Sequence, residues 1–303
     1  MNMKKVSVLQ MQQFQAGTSP EDFYANTLQN HLVTSHKDIA LPHSHNFYLA
    51  ILFTKGSGIH EVDFTVFDVK PGALFFLNPG QTHHWELSKD TEGYIFFHTQ
   101  AFYDLHYTNN RLSHFPFFFS MHNSPCIYLA GEQYQNITNW FRLILQENQS
   151  QNILKREYII SLTDLVYNEG TRYYTHQNIV PIENRNNYYA KFRHFEELVG
   201  EHFTNEKSPS AYAGMLNMTS KHLNRITQAV VGKTASDVIM DRVLLEAKKA
   251  FILQKDSFAE IGYSLGYDDY AYFSRLYKKK TGETPSAFLG RYIGDNHLNH
   301  YHE

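Results

Sequence analysis

From Leu41 to Tyr103 the apolar residues fall in short runs: Phe47 to Phe53, an alternation of Val62, Phe64 and Val66, then Ala73 to Leu77 and Tyr94 to Phe97. Lys55-Gly56-Ser57-Gly58, Pro71-Gly72 and Asn78-Pro79-Gly80 stand between them. Short runs punctuated in this way predict β-strands joined by turns, as in an antiparallel sandwich or small barrel. None of the runs is long enough for a membrane span.

The period changes at Glu132. Ile137, Trp140, Phe141, Ile144 and Leu145 mark one face of a helix, and Leu154, Tyr158, Leu162, Leu165 and Val166 predict a second, stopped by Gly170. A helix pair following a barrel can pack on the barrel or on a second copy of the chain, and the sequence leaves both open. Residues 132–170 are thus the candidate dimerisation helices of a homodimer. Thr171 to Asn187, with Pro181 and four asparagines, reads as a linker. From Tyr188 the pattern is helical almost throughout.

Pro209 to Gly232 predicts helix, turn, helix. Ala211, Met215 and Leu216 give the inward face of a short helix, Asn217 to Thr219 the turn, and Leu223, Ile226, Thr227 and Val230 the core stripe of a second helix, capped by Thr219 or Ser220. The opposite face of that second helix carries Ser220, Lys221, Asn224, Arg225 and Gln228, with no acid between Thr219 and Lys233. Asn and Gln can read adenine, Arg can read guanine, and Lys can hold a phosphate. The arrangement recurs: Phe258, Ile261 and Leu265, a turn at Gly266 to Asp268, then Phe273, Leu276 and Tyr277 facing inward. Here Tyr270, Ala271, Ser274, Arg275, Lys278 and Lys279 point outward, and Asp268 or Asp269 is the cap. Between the motifs, Thr234 to Leu253 is one amphipathic helix of about 30 Å. That length could set two recognition helices into successive major-groove segments, which repeat about every 34 Å.

Charge looks unhelpful until it is divided. The whole chain has 27 Lys or Arg against 30 Asp or Glu, a formal net charge of -3. Residues 191–303 hold 15 against 14, and residues 207–280 hold 12 against 7, a local excess of five cations. The lone cysteine, Cys126, excludes an internal disulfide and suits a reducing compartment. Met1 to Gly17 has no apolar stretch for a secretory leader, so a cytoplasmic protein without a membrane partner is expected.

At the second motif a resemblance becomes specific. Ser208 to Tyr292 resembles the DNA-binding domain of AraC-type transcription regulators at Ile261, at the Gly-aromatic turn of 266 and 267, at Phe-Ser-Arg of 273 to 275, at the aromatic-Lys of 277 and 278, and at Gly-x-x-Pro of 282 to 285. Arg242 and Ala247 match the family's linker helix. The resemblance implies base-reading positions at Ser220, Lys221, Asn224 and Arg225, and at Tyr270, Ala271 and Arg275, in agreement with the outward faces. Ala271 could meet only a thymine methyl. Gly262 stands where the family usually has alanine.

Phe and Tyr number 23 and 21, and there are 18 histidines. Pro42-His43-Ser44-His45 precedes a strand, where His43 and His45 share a face, and Pro79-Gly80 leads to His83 and His84. This stretch is similar to the cupin-like sensor domains that precede AraC-type DNA-binding domains. Metal-binding cupins place a glutamate shortly after the paired histidines; Asn46 to Leu49 has none, and Glu61 is distant along the chain. The expectation is an α+β chain. A cupin-like β-barrel with its helices (1–170) binds a small-molecule effector at His43, His45 and His83, without metal or cofactor. A linker (171–187) leads to an all-α domain of two helix-turn-helix motifs (188–303) that binds double-stranded promoter DNA, with RNA polymerase a further partner. The rival is a metal-dependent cupin enzyme built on the same three histidines with an appended nucleic-acid-binding module.

Overall fold

The computed structural model describes residues 8–14, 22–34, 42–104, 106–107, 111–177, 185–253 and 255–298. They form two compact units, one of Ser7–Val180 and one from Pro181 onward.

In the first unit the strands and helices run β1 (Val8–Leu9), β2 (Phe23–Thr27), α1 (Leu28–Thr34), β3 (Ser44–His45), β4 (Tyr48–Lys55), β5 (Gly58–Val62), β6 (Thr65–Val69), β7 (Ala73–Leu77), β8 (His83–Leu87) and β9 (Glu92–His98). There follow α2 (Gln100–Asp104), α3 (Pro116–Phe119), β10 (Cys126–Tyr128), α4 (Gly131–Gln149) and α5 (Lys155–Gln177). A five-stranded sheet has the order β10-β7-β4-β9-β2, a three-stranded sheet the order β6-β5-β8, and β1 pairs with β3. The sheets are not joined into a closed barrel; they face each other, with Phe75 of β7 meeting Phe67 of β6 and His60 of β5 at ring separations of 5.9 and 4.4 Å.

The uninterrupted apolar runs follow from burial on both faces of the five-stranded sheet. Leu49, Ile51 and Phe53 of β4 join the core between the sheets, whereas Ala50 and Leu52 join a second core shared with the helices. On β9, Phe97 faces the first core and Phe96 the second, where it lies 5.0 Å from Phe141 of α4. Each fully buried side chain of this size contributes about 1.5–3 kcal/mol of transfer free energy. The helix pair therefore packs on the sheet.

Four readings of the pattern change. Phe64 is not a strand residue: with Asp63 it forms the two-residue turn joining β5 to β6, both at positive φ (46° and 67°). Asp63 is anchored there because its carboxylate accepts from Thr82 N and Gln81 Nε2. Of the stripe expected on α5, Leu162 and Val166 are buried, but Tyr158 and Leu165 are exposed and Leu154 precedes the helix at φ 58°. Gly170 does not stop α5. A Cβ there would lie 3.1 Å from the Phe76 ring and 3.4 Å from that of Phe117, so the glycine lets the helix approach the sheet closely. The expected linker of 171–187 accordingly begins as helix up to Gln177 and is helical again from Arg185, while 178–184 lie outside the described residues.

The second unit contains α6 (Arg185–His202), α7 (Pro209–Met215), α8 (Ser220–Val231), α9 (Ala235–Leu253), α10 (Phe258–Ser264), α11 (Tyr270–Thr281) and α12 (Pro285–Leu298). It repeats one device twice. After α7, Asn217 takes φ 52° and Met218 N donates to Ala213 O; after α10, Gly266 takes φ 82° and Tyr267 N donates to Gly262 O. Thr219 caps α8 and Asp269 caps α11, while Gly232 and Gly282, both left-handed, end those helices. The inward face of α7 is Tyr212 and Ala213; Met215, expected there, is 44% exposed. Phe251 of α9 binds the second half together, with its ring centroid 5.2 Å from Phe258 and 5.4 Å from Tyr277.

Gly262 is buried on α10, and a Cβ there would meet Phe273 at 3.4 Å, ordinary van der Waals contact. Gly262→Ala should therefore raise the stability of this unit by up to about 1 kcal/mol through helix propensity. A fall in the urea midpoint of its helical signal would disprove this.

Candidate functional site

The histidines of the first unit do converge. His43 and His83 are joined by a pair of backbone hydrogen bonds (3.1 and 2.8 Å), and their rings lie 4.4 Å apart. His45 lies 5.2 Å from His83, and both are buried. The sequence pattern did not reveal His60, whose Nε2 is 3.1 Å from His83 Nδ1, or His31, 3.0 Å from the Tyr24 hydroxyl. Strand alternation in β5 could have signalled His60, because the pairings His60 with Trp85 and Val62 with His83 place it on the inward face. Glu61, distant along the chain, is brought by the same pairing to 3.7 Å from His84 Nδ1.

The environment keeps the rings of His31, His45 and His60 neutral. His45 Nδ1–H donates to Phe47 O at 2.7 Å, which fixes the tautomer. Burial, with His43 beside it, pushes its pKa down to about 3, and burial does the same to His31. His60 is held well below its ordinary value by burial and then by His84, His43 and His45. Aromatic faces surround the cluster: His45 stacks on Phe47 at 4.5 Å, Phe47 on Phe97 at 4.3 Å, and Phe97 on Tyr24 at 4.4 Å. Among the described residues, no three His, Cys, Asp or Glu side chains are disposed to hold a metal ion together. What the arrangement offers is a neutral, aromatic-walled interior with imidazole hydrogen-bonding groups.

In the second unit, Ser220, Lys221, Asn224, Arg225 and Gln228 are all exposed on α8, opposite buried Leu223, Ile226 and Thr227. On α11, Ala271, Arg275, Lys278 and Lys279 are exposed and Tyr270 is half-buried. The cations separate into two groups. Lys233, Lys280 and Arg291 pair with Asp241, Asp237 and Glu283, whereas among the described residues Lys221, Arg275, Lys278 and Lys279 have no acidic partner. These four lie on the two outward faces; elsewhere in the unit Lys191 and Lys255 likewise pair with no acid among the described residues. Asn224 also serves the fold, because its Oδ1 accepts from Ala235 N at 2.8 Å and so caps α9, which engages the oxygen that adenine recognition would use. Arg225 Nη2 donates to His222 Nδ1 at 2.6 Å.

Each unit matches a known family. Residues 35–162 match the AraC-like ligand binding domain and residues 212–291 a helix-turn-helix domain. Together these define a regulator that couples a ligand-binding domain to a DNA-binding one, and the chain belongs to the AraC-type transcription regulators. It is 21% identical over 247 residues to the arabinose operon regulatory protein of Escherichia coli (strain K12), spanning 80% of each chain. It is 32% identical over 79 residues to the MmsAB operon regulatory protein of Pseudomonas aeruginosa, 26% of each. Among solved structures, ToxT from Vibrio cholerae aligns over 88% of this chain and 98% of its own, with 13% identity and a TM-score of 0.44. No helix among the described residues is long and apolar enough to cross a membrane.

Proposed function

We propose that this regulator reads promoter DNA with α8 and α11 together and responds to a small effector held among His43, His45 and His83, without catalysing a reaction. The observation that carries the DNA side is the pair of capped helices whose outward faces are cationic: Lys221, Arg225, Arg275, Lys278 and Lys279 are all exposed there, and none is paired with an acid among the described residues. Ser220, Lys221, Asn224, Arg225 and Gln228 form one reading face, and Tyr270, Ala271, Arg275, Lys278 and Lys279 the other. Between them α9, 19 residues long, measures about 28 Å, close to one turn of B-DNA. The non-enzymatic reading is supported by the match of the two units to a ligand binding domain and a helix-turn-helix domain, and by the histidine rings, which bond to one another and to a backbone carbonyl.

The test is base discrimination. Arg225→Ala and Arg275→Ala should each cost about 1–3 kcal/mol on a duplex selected by the wild-type protein and relax its preference at one base pair. Equal weakening on random DNA would reduce both residues to phosphate contacts and remove them as readers.

The homodimer reading is supported by α5. Tyr158 and Leu165 are 51% and 39% exposed, seven residues apart on one helical face, beside Ile153 at 91% and Leu154 at 69%. An apolar stripe of this kind fits a second copy of the helix. Tyr158→Glu with Leu165→Glu should convert the dimer to a monomer in sedimentation while the far-UV spectrum stays that of the wild type. A monomeric wild type, or an unchanged dimer in the variant, refutes this interface.

A further inference from the structure

We propose that His222 is a specificity-determining positioning residue, whose imidazole holds the guanidinium of Arg225 in the orientation from which Arg225 meets a base. The inference rests on the reading of α8 as a base-reading helix. An arginine is a planar fork on a long, flexible stem, and its contribution to discrimination depends on how much of that freedom is removed before DNA arrives. Here Nη2–H donates to His222 Nδ1 at 2.6 Å, one turn back on the same face of α8. This acceptor anchors one end of the guanidinium, which narrows its orientations, and leaves Nε and Nη1 available as donors.

His222 is itself held. Its backbone N–H donates to the capping hydroxyl of Thr219 at 3.2 Å. Its ring meets Tyr188 of α6 edge-on, with centroids 5.9 Å apart and planes at 80°. The arrangement works for one protonation state only. Nδ1 must carry a lone pair to accept from arginine, so the proton of the neutral ring is on Nε2; a second proton would turn the acceptor into a donor facing a cation. Among the described residues, the charged and titratable groups facing this ring are Arg225 on its own helix, and Lys191 and Tyr188 on α6; no carboxylate is among them. Desolvation, then Arg225, then Lys191 lower the His222 pKa, so the accepting form predominates near neutral pH. The N-terminal turn of α8, where the ring sits, disfavours a cation in the same sense.

The experiment uses the full chain and a duplex selected from a randomised DNA pool by the wild-type protein, together with single-base-pair variants of that duplex. Arg225→Ala first locates the base pair whose identity Arg225 governs. His222→Ala should then lower discrimination at that pair alone by about 2- to 10-fold, the cost of ordering one long side chain, with affinity for random DNA within about twofold. His222→Gln, whose carboxamide oxygen can accept from the guanidinium, should restore it. As the pH is lowered from about 7.5 to below the ordinary imidazole value of 6.5, the wild-type discrimination ratio should hold and then fall as the imidazole gains its second proton, while that of the Gln variant stays level. Because the ratio compares two duplexes at the same pH, any loss of folded protein cancels. Wild-type discrimination in His222→Ala, or an equal loss at every base pair, overturns the positioning role. If Arg225→Ala changes no base preference, the reading of α8 fails and this proposal fails with it.

Discussion

Between pH 7 and pH 5 the N-terminal unit should unfold while the C-terminal unit keeps its helices. The ordinary histidine pKa is 6.5; in the folded unit burial holds His31 and His45 at about 3 and His98 at about 4. His98 is fixed as neutral by geometry as well, donating from Nδ1 to Thr99 O and accepting from the Tyr167 hydroxyl of α5 at 2.7 Å. Above pH 6.5 neither the folded nor the unfolded chain charges these rings, and nothing is lost. Below it the unfolded chain takes up protons that the folded one refuses, and each ring removes about 1.4 kcal/mol per pH unit until its folded value is reached. At pH 5 that is about 2 kcal/mol for each of the three, on the order of 6 kcal/mol together, within the whole stability of an ordinary domain. His60 acts in the same direction. Both tryptophans, Trp85 and Trp140, belong to this unit, so their emission follows it alone. Emission that does not change from pH 7 to pH 5 would show that the rings can charge within the fold.

Gly266→Ala should unfold the C-terminal unit or cost it about 3 kcal/mol or more. The turn between α10 and α11 has φ 82°, which an L side chain tolerates poorly, and a Cβ would lie 1.7 Å from Thr204 O and 2.8 Å from Lys207 Nζ. Thr204 O already accepts from Lys207 Nζ at 2.9 Å, and that ammonium lies 4.7 Å from the Tyr267 ring centre, so the obstacle is fixed backbone. The loss should appear in far-UV helicity under urea while tryptophan emission keeps its wild-type midpoint. A variant as stable as the wild type would mean that the 204–207 segment can move aside. Gly262, four residues earlier, gives the opposite sign because a Cβ there meets only an ordinary contact.

The sequence marked Gly266 as a turn and Gly262 as a departure within a helix, but what a Cβ would meet at each depends on Thr204 and Phe273, which pattern does not bring together. Periodicity placed α4, α8 and α9 correctly because each buries one continuous stripe: Leu223, Ile226 and Thr227 are all fully buried. It failed at Phe64, where an apolar residue turns a hairpin, and at Gly170, where a helix former was sacrificed for close approach to Phe76 and Phe117. Of the stripe it read on α5, Leu162 and Val166 are buried and Tyr158 and Leu165 exposed, while Ile159, Ile160 and Tyr167, which it did not mark, join the core. The helix-turn-helix faces were legible because outward residues need only be counted around a wheel. The capping role of Asn224 was not, since its partner, Ala235, is presented by the chain reversal at Gly232. His60 was hidden because its neighbours come from β8, more than twenty residues away.

The doubled turn-and-cap device puts two helices on one chain that, on the function proposed above, both read DNA, and their outward residues are unlike: Lys221, Asn224 and Arg225 on α8, Ala271, Arg275 and Lys278 on α11. Whatever sequence such a chain grips is not its own reverse. A single subunit therefore lies on DNA with a heading, and a promoter can set which way it points simply by the strand on which its site is written.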